Sequence, residues 1–232
     1  MPPLFDAHSH LPPPGSPEPD HWRVICGTQE ADWGAVLAHA AGRDRVIPML
    51  GLHPWFVADA EPGWELRLEA LLLAHRSGVG ECGLDFSRET ADRNTQEAVF
   101  RQQLHLAHAL DRPVAIHAVQ AWGPLLNLLR AEGVPPAGAL VHAFSGSPET
   151  ARDLQALGVC LSFSGDLLRP DRPRLAAALR AVTAEHLLLE SDGTADLAAV
   201  LEAAAGILGN TAAGLAAQTW ENGRRCFQEL LT

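Results

Sequence analysis

Lysine is absent from the 232-residue chain, so all 17 residues of its Lys-plus-Arg total are arginine. That excludes a mechanism built on a lysine amine, whether a Schiff base or a carbamylated lysine bridging two ions. Positive charge is scarce too: 28 acidic residues leave a formal net charge of −11. Non-specific affinity for nucleic acid comes mostly from basic side chains displacing counterions, so this balance argues against a general phosphate-backbone binder. A polyanion must be drawn in locally, and bound divalent cations could do that, being often the largest charges in their site. Cys26, Cys82, Cys160 and Cys226 form no C-x-x-C pair, which predicts buried reduced thiols rather than a disulfide or zinc-ribbon framework. No apolar run approaches the roughly 20 residues of a membrane span. The start Met1-Pro2-Pro3-Leu4 lacks the basic and apolar regions of a signal peptide, so the expected location is the cytoplasm.

What is present begins with Phe5-Asp6-Ala7-His8-Ser9-His10, an apolar run that ends in two histidines one residue apart. Side chains alternate between the faces of a strand, so His8 and His10 point the same way and could grip one ion. The event recurs downstream. Arg45 to Pro54 reads as a strand delivering His53, Val114-Ala115-Ile116-His117 closes on histidine, and Ala139 to Phe144 carries His142. In Val79 to Phe86, Glu81 stands near two glycines in an otherwise apolar run, and such a carboxylate is costly to bury unless paired or bound to metal. Asp85 either orients a histidine from behind or caps the loop. His186 to Asp192 is the last strand and ends in acid.

Between these runs lie helical patterns over Ala31–Gly42, Trp64–His75 (with Leu66, Leu68, Leu71 and Leu72 for a core face), Arg93–Leu110, Trp122–Glu132, Pro148–Gly158 and Arg172–Val182. His105 and His108 lie on a helix body and read as packed or solvated. Arg23–Gly27 and Val159–Gly165 supply two more strands. Leu11 to Trp22, with Pro12-Pro13-Pro14-Gly15, is a loop rather than a helix. The terminal stretch Thr211–Leu231 should pack back on the body through Leu215, Thr219, Asn222, Cys226 and Leu230. About eight strands alternating with helices predict one α/β domain over residues 1–232, most simply a closed (β/α)8 barrel whose first connecting helix is replaced by the proline-rich loop. An open doubly wound sheet is the alternative, but no glycine-rich dinucleotide fingerprint or P-loop follows any strand.

In a barrel, the carboxyl ends of the strands converge on one face. His8, His10, His53, Glu81, His117, His142 and Asp192 would meet there, as a two-metal hydrolytic site needs. Glu81 is placed to bridge two ions with its two oxygens. His8, His10 and Asp192 would complete one shell, and His117 and His142 would hold the other ion. Histidine and carboxylate donors suit Zn, Mn, Co or Ni, and carboxylates with water suit Mg, so the donor set leaves the metal open.

The motifs D-x-H-x-H-L, G-L-H-P, G-E-C-G-L-D-F, P-V-A-I-H, V-H-A-F-S-G, L-S-F-S-G and L-L-x-E-S-D occur in the order seen in TatD-type metal-dependent DNases of the amidohydrolase-like barrel superfamily. The chain resembles that family over nearly its whole length. The resemblance implies a hydrolase of DNA phosphodiester bonds with His8, His10, Glu81, His117, His142 and Asp192 as metal ligands. It further implies Asp192 as general base and His53 in contact with substrate phosphate. With the acidic surface, short or single-stranded DNA ends are the expected substrates.

Departures from the family pattern fall in loops 11–22, 118–122 and 193–198. The arginine usual soon after the fifth-strand histidine is replaced by Ala118-Val119-Gln120, and a Ser-Pro-Tyr type loop by Gly193-Thr194-Ala195-Asp196. The alternatives are an esterase or amidohydrolase with a glutamate bridge, such as one removing D-amino acids from tRNA, and a metal-bound binding protein without activity.

Overall fold

Short runs rich in Val, Ile and Leu form the strands, as expected of a parallel sheet buried on both faces. In the computed structural model, which describes residues 4–231, they are β1 (Phe5–Ser9), β2 (Trp22–Cys26), β3 (Val46–Leu50), β4 (Gly78–Asp85), β5 (Val114–Val119), β6 (Ala139–Val141), β7 (Cys160–Phe163) and β8 (Leu187–Leu189). Residues 1–3 and 232, the ends of the expected domain, lie outside the described residues. All neighbours are parallel, in the order β1 to β8. Beyond β8 the chain crosses to β1: Asp192 N–H donates to the His8 carbonyl at 3.1 Å. Ser191 donates to the Asp6 carboxylate from its amide and hydroxyl, at 2.8 and 2.6 Å. These contacts bring the sheet round into a nearly closed barrel.

The outer layer is α1 (Glu30–Ala40), α2 (Trp64–Ala74), α3 (Arg93–Ala109), α4 (Trp122–Glu132), α5 (Pro148–Ala156), α6 (Pro173–Ala181), α7 (Leu197–Leu208) and α8 (Ala212–Cys226). Several start on sequence signals: the side chains of Asp92, Ser147 and Thr211 accept the orphan amides of Thr95, Thr150 and Gly214. Between β1 and β2 there is no helix. The proline-rich loop is instead tied down through Glu18, which Arg23 and Arg43 hold against α1. No single helix among the described residues is long and apolar enough to cross a membrane.

Phe5, Ala7, Val24, Ile47, Met49, Ala115, Leu140 and Leu188 fill the barrel interior, and Cys226, Phe227 and Leu230 close its lower end. Each buried aromatic or aliphatic side chain there contributes roughly 1.5–3 kcal/mol relative to exposure. Phe5 stacks on Phe227 with ring centroids 5.9 Å apart, which ties the first strand to the last segment. The side chains expected to anchor that segment, Leu215, Thr219, Asn222, Cys226 and Leu230, are all buried.

Two expectations need correction, and one helix went unread. The third strand stops at Leu50, because the chain turns at Pro54 into a 3₁₀ helix (Pro54–Asp59) whose N-cap is His53. Leu66 is 66% exposed, because Trp64, Leu68 and Leu72 already fill the inner stripe of α2. Helix α7 had no counterpart in the sequence reading: its run Leu197-Ala-Ala-Val-Leu-Glu-Ala-Ala-Ala-Gly-Ile-Leu208 offers almost no polar face to mark a period.

Two irregularities aim the site. Between Asp6 and Ser9, β1 carries one more residue than β2, and between Val79 and Cys82, β4 carries one more than β5. A bulge of this kind re-aims side chains. In β1 it lets apolar Phe5 and Ala7 and then polar His8 all face the interior. In β4 it turns Glu81 inward while Val79, Cys82 and Leu84 pack outward under the helices.

Candidate metal centre

The upper end of the barrel gathers every strand-end residue named from the sequence. His8, Glu81, His53 and His142 are buried, His117 is nearly so, and His10 and Asp192 reach the mouth. A cavity of about 440 Å³ opens there, walled by these groups other than His8, together with Leu11, Thr28, Asp32, Trp55 and Phe56. Glu81 stands where the backbones of β4 and β5 nearly touch. A Cβ on Gly80 would lie 2.8 Å from Ala115 Cβ, and one on Gly83 would lie 2.1 Å from the His117 carbonyl oxygen. Both glycines sit at φ beyond +130°, so no other residue fits that approach.

The two oxygens of Glu81 serve different groups. Oε2 is 3.4 Å from His8 Nε2 and 3.5 Å from His10 Nε2. The two imidazole nitrogens are 3.4 Å apart, and Asp192 Oδ1 lies 3.8 and 3.7 Å from them. Donors set tetrahedrally at zinc-like bond lengths stand about 3.3–3.6 Å from one another, so this quartet is close to the right size for an ion. Oε1 is 2.9 Å from both His117 Nδ1 and His142 Nε2, which are 3.1 Å apart. That spacing is near the roughly 3.0 Å between adjacent donors of a small octahedral ion.

Charge points the same way. Burial opposes ionisation of Glu81, but the imidazoles of His142, His8 and His117 hold its carboxyl well below the usual carboxylate range. Burial likewise pulls His142 down, and Glu81 and Glu190 reverse it, raising His142 well above the ordinary imidazole value. A buried carboxylate ringed by imidazoles makes a site that attracts positive charge, and the donors present fit divalent cations.

Outer partners fix each imidazole. His10 Nδ1–H donates to the Cys26 carbonyl at 3.2 Å, and Cys26 Sγ lies 3.4 Å from His8 Nδ1. His117 Nε2 faces Asp85 Oδ2 at 3.3 Å, and His142 Nδ1 faces Glu190 Oε1 at 3.4 Å. An oxygen acceptor on the outer nitrogen of His10, His117 and His142 keeps a proton there when the ring is neutral, so that the inner nitrogen would present its lone pair to a bound ion. His53 is the opposite case. Its Nδ1 accepts the amide proton of Trp55 at 3.1 Å, so the neutral ring carries its hydrogen on Nε2, 3.2 Å from Glu81 Oε1. Burial keeps His53 below the ordinary imidazole value, which favours that neutral ring. His53, Glu81 and His117 do bring three donor atoms together, but His53 arrives as a proton donor.

Asp85 takes both roles left open for it, holding His117 and accepting from Ser87 N, Ser87 Oγ and Trp55 Nε1. Three residues escaped the sequence reading. Glu190 is fully buried and accepts from Ser162 Oγ and from Ala143 N. Gln96 bonds Asp85 N and O, and Gln103 bonds Leu52 N and O, so α3 pins the strand ends beside Asp85 and His53. A glutamine on the buried stripe of an amphipathic helix was the available signal.

A family model of TatD related DNases matches residues 5–228. The chain belongs to that family. The 3'-5' ssDNA/RNA exonuclease TatD of Klebsiella pneumoniae (strain 342) is 37% identical over 150 residues, covering 61% of this chain and 55% of that protein. The uncharacterized metal-dependent hydrolase YabD of Bacillus subtilis (strain 168) is 29% identical over 151 residues, covering 64% of this chain and 59% of YabD. The matches thus span little more than half the length of these relatives. Among solved structures, YjjV, a TatD homologue from Escherichia coli K12, superposes with a TM-score of 0.88 at 23% identity, over 97% of this chain and 98% of that one. It shares the barrel fold.

Proposed function

We propose that this chain is a divalent-metal-dependent phosphodiesterase that hydrolyses DNA, with short or single-stranded ends as its substrate. The observation that carries the reading is the division of Glu81, one oxygen toward His8 and His10 and the other toward His117 and His142. His8, His10, Asp192 and Glu81 Oε2 would hold one ion, and His117, His142 and Glu81 Oε1 the other. Ions bound there would supply Lewis acidity and a water acidic enough to ionise near neutral pH. Asp192, its side chain 37% exposed at the mouth, takes the proton of the water that attacks phosphorus. His53 Nε2–H donates to a phosphate oxygen as charge builds on it. Asp85 and Glu190 keep their histidines in the ligating tautomer. Membership of the DNase family and the 3'-5' ssDNA/RNA exonuclease name of the Klebsiella relative support the nucleic-acid substrate.

One observation favours a second reading, hydrolysis of a carboxylic ester: no arginine lines the cavity among the described residues. A panel of Mg, Mn and Zn against labelled single-stranded DNA, duplex DNA, RNA, aminoacyl-tRNA and a simple phosphodiester separates the two. Metal-dependent cutting fastest on single-stranded DNA is expected. Aminoacyl-tRNA as the best substrate, or full activity without metal, would overturn the proposal.

A further inference from the structure

The cavity holds carboxylates and imidazoles, yet a nucleic-acid strand brings one negative charge per nucleotide, and Ala118-Val119-Gln120 stands where the family usually has an arginine soon after the fifth-strand histidine. A guanidinium reaches the cavity wall from a different loop. Arg88, between β4 and α3, lies over the Trp55 ring with Cζ 3.7 Å from its centroid. Trp55 is a cavity wall, packed edge-on to His53 with ring centroids 4.8 Å apart and fastened through Nε1–H to Asp85 Oδ2 at 2.6 Å. Ser87, just before Arg88, is bonded twice to the same Asp85 carboxylate, and Thr90 Oγ1 reaches the Pro54 carbonyl. The loop carrying Arg88 is therefore bound to the turn that carries His53.

A second arginine repeats the arrangement. Arg93, at the start of α3, lies over Phe86 with Cζ 4.7 Å from the ring centroid. Neither arginine has a carboxylate within ion-pair distance among the described residues, whereas Arg23, Arg43, Arg45, Arg67, Arg101 and Arg130 all do. Both guanidiniums are exposed. Stacking on an aromatic face orients a guanidinium while leaving its edge N–H groups free, and that fork matches a phosphate. In a chain of net charge −11, two oriented cations without ion-pair partners, one on the β4–α3 loop and one at the start of α3, form a local anion-binding edge.

We propose that Arg88 and Arg93 form a subsite for the backbone phosphates of single-stranded DNA flanking the scissile bond, so that the strand leaves the metal centre across the β4–α3 loop. The proposal rests on the DNase reading and deepens it, supplying from this loop the cation missing after His117.

The test uses the full chain with the most active metal and two substrates: a labelled single-stranded oligodeoxynucleotide, and bis(p-nitrophenyl) phosphate, which has no flanking phosphate. Arg88→Gln should raise KM for the oligonucleotide about tenfold, the scale of one lost charge-assisted contact, with a much smaller effect on the simple ester. The slope of log KM against log salt should fall by about 0.7 for each arginine removed, and Arg88→Gln/Arg93→Gln should combine both losses. Arg88→Lys should recover most of the salt slope. An unchanged oligonucleotide KM and salt slope in the double variant would overturn the subsite and leave the nuclease reading standing. Equal loss on both substrates would also overturn it, assigning Arg88 to support of the Trp55–Asp85 wall. A wild-type protein that hydrolyses the ester but not the oligonucleotide would instead defeat the DNase reading itself.

Discussion

The floor of the cavity and its rim are built by different rules. On the floor, His10, His117 and His142 each have an oxygen acceptor behind them, Glu81 is gripped by imidazoles on both oxygens, and two β-bulges turn His8 and Glu81 inward. On the rim, the β1–β2 connection is a proline-rich loop, residues 118–122 lack the usual arginine, and a short turn follows Asp192. Buried polar groups carry a cost unless every partner is in place, so the floor tolerates few solutions. Exposed loops tolerate many. The difference teaches that reaction type is written on the floor and substrate choice on the rim, with His53 at the boundary between them.

Breaking the floor should have the largest effect. Glu81→Gln removes the charge that both donor sets share; turnover should fall by about 10⁴-fold and elemental analysis should show at least one ion lost per chain. Asp192→Asn should keep the fold by circular dichroism and lower kcat by about 10²–10⁴-fold, because a poor base remains. His53→Ala sharpens the boundary. As a proton donor to phosphate, its loss should cost about 10²-fold in kcat with metal content preserved, whereas a falling metal content would make His53 a ligand. Glu190→Gln should act only through His142, weakening metal affinity by about 10–100-fold with activity restored at high metal concentration. Failure of added metal to restore activity would show a direct part for Glu190 in the chemistry.

Much of the floor was legible because an ionisable residue at the end of an apolar run is hard to explain otherwise, and His8, His10, Glu81, His117, His142 and Asp192 all show that pattern. Glu190 was hidden by its neighbour. In Glu190-Ser191-Asp192 two acids stand together, and only the turn at Asp192, with φ +50°, sends one inward to His142 and the other to the mouth. Strict alternation would place Asp6 on the same face as His8. The extra residue in β1 instead lets Asp6 bond Ser191 while His8 turns inward. A bulge leaves no mark in composition, and neither does the choice of donor or acceptor behind a histidine. The 3₁₀ helix after His53 was signalled by Pro54, and it supplies the Trp55 amide that sets the tautomer of His53. The apolar run of α7 carried no period to read.

Anomalous diffraction from crystals grown with Mn²⁺ or Zn²⁺ tests the central claim most directly. The account predicts two peaks on either side of Glu81, one ligated by His8, His10 and Asp192 and the other by His117 and His142, with His53 outside both shells. A single peak, no peak, or His53 Nε2 bound to an ion would contradict it.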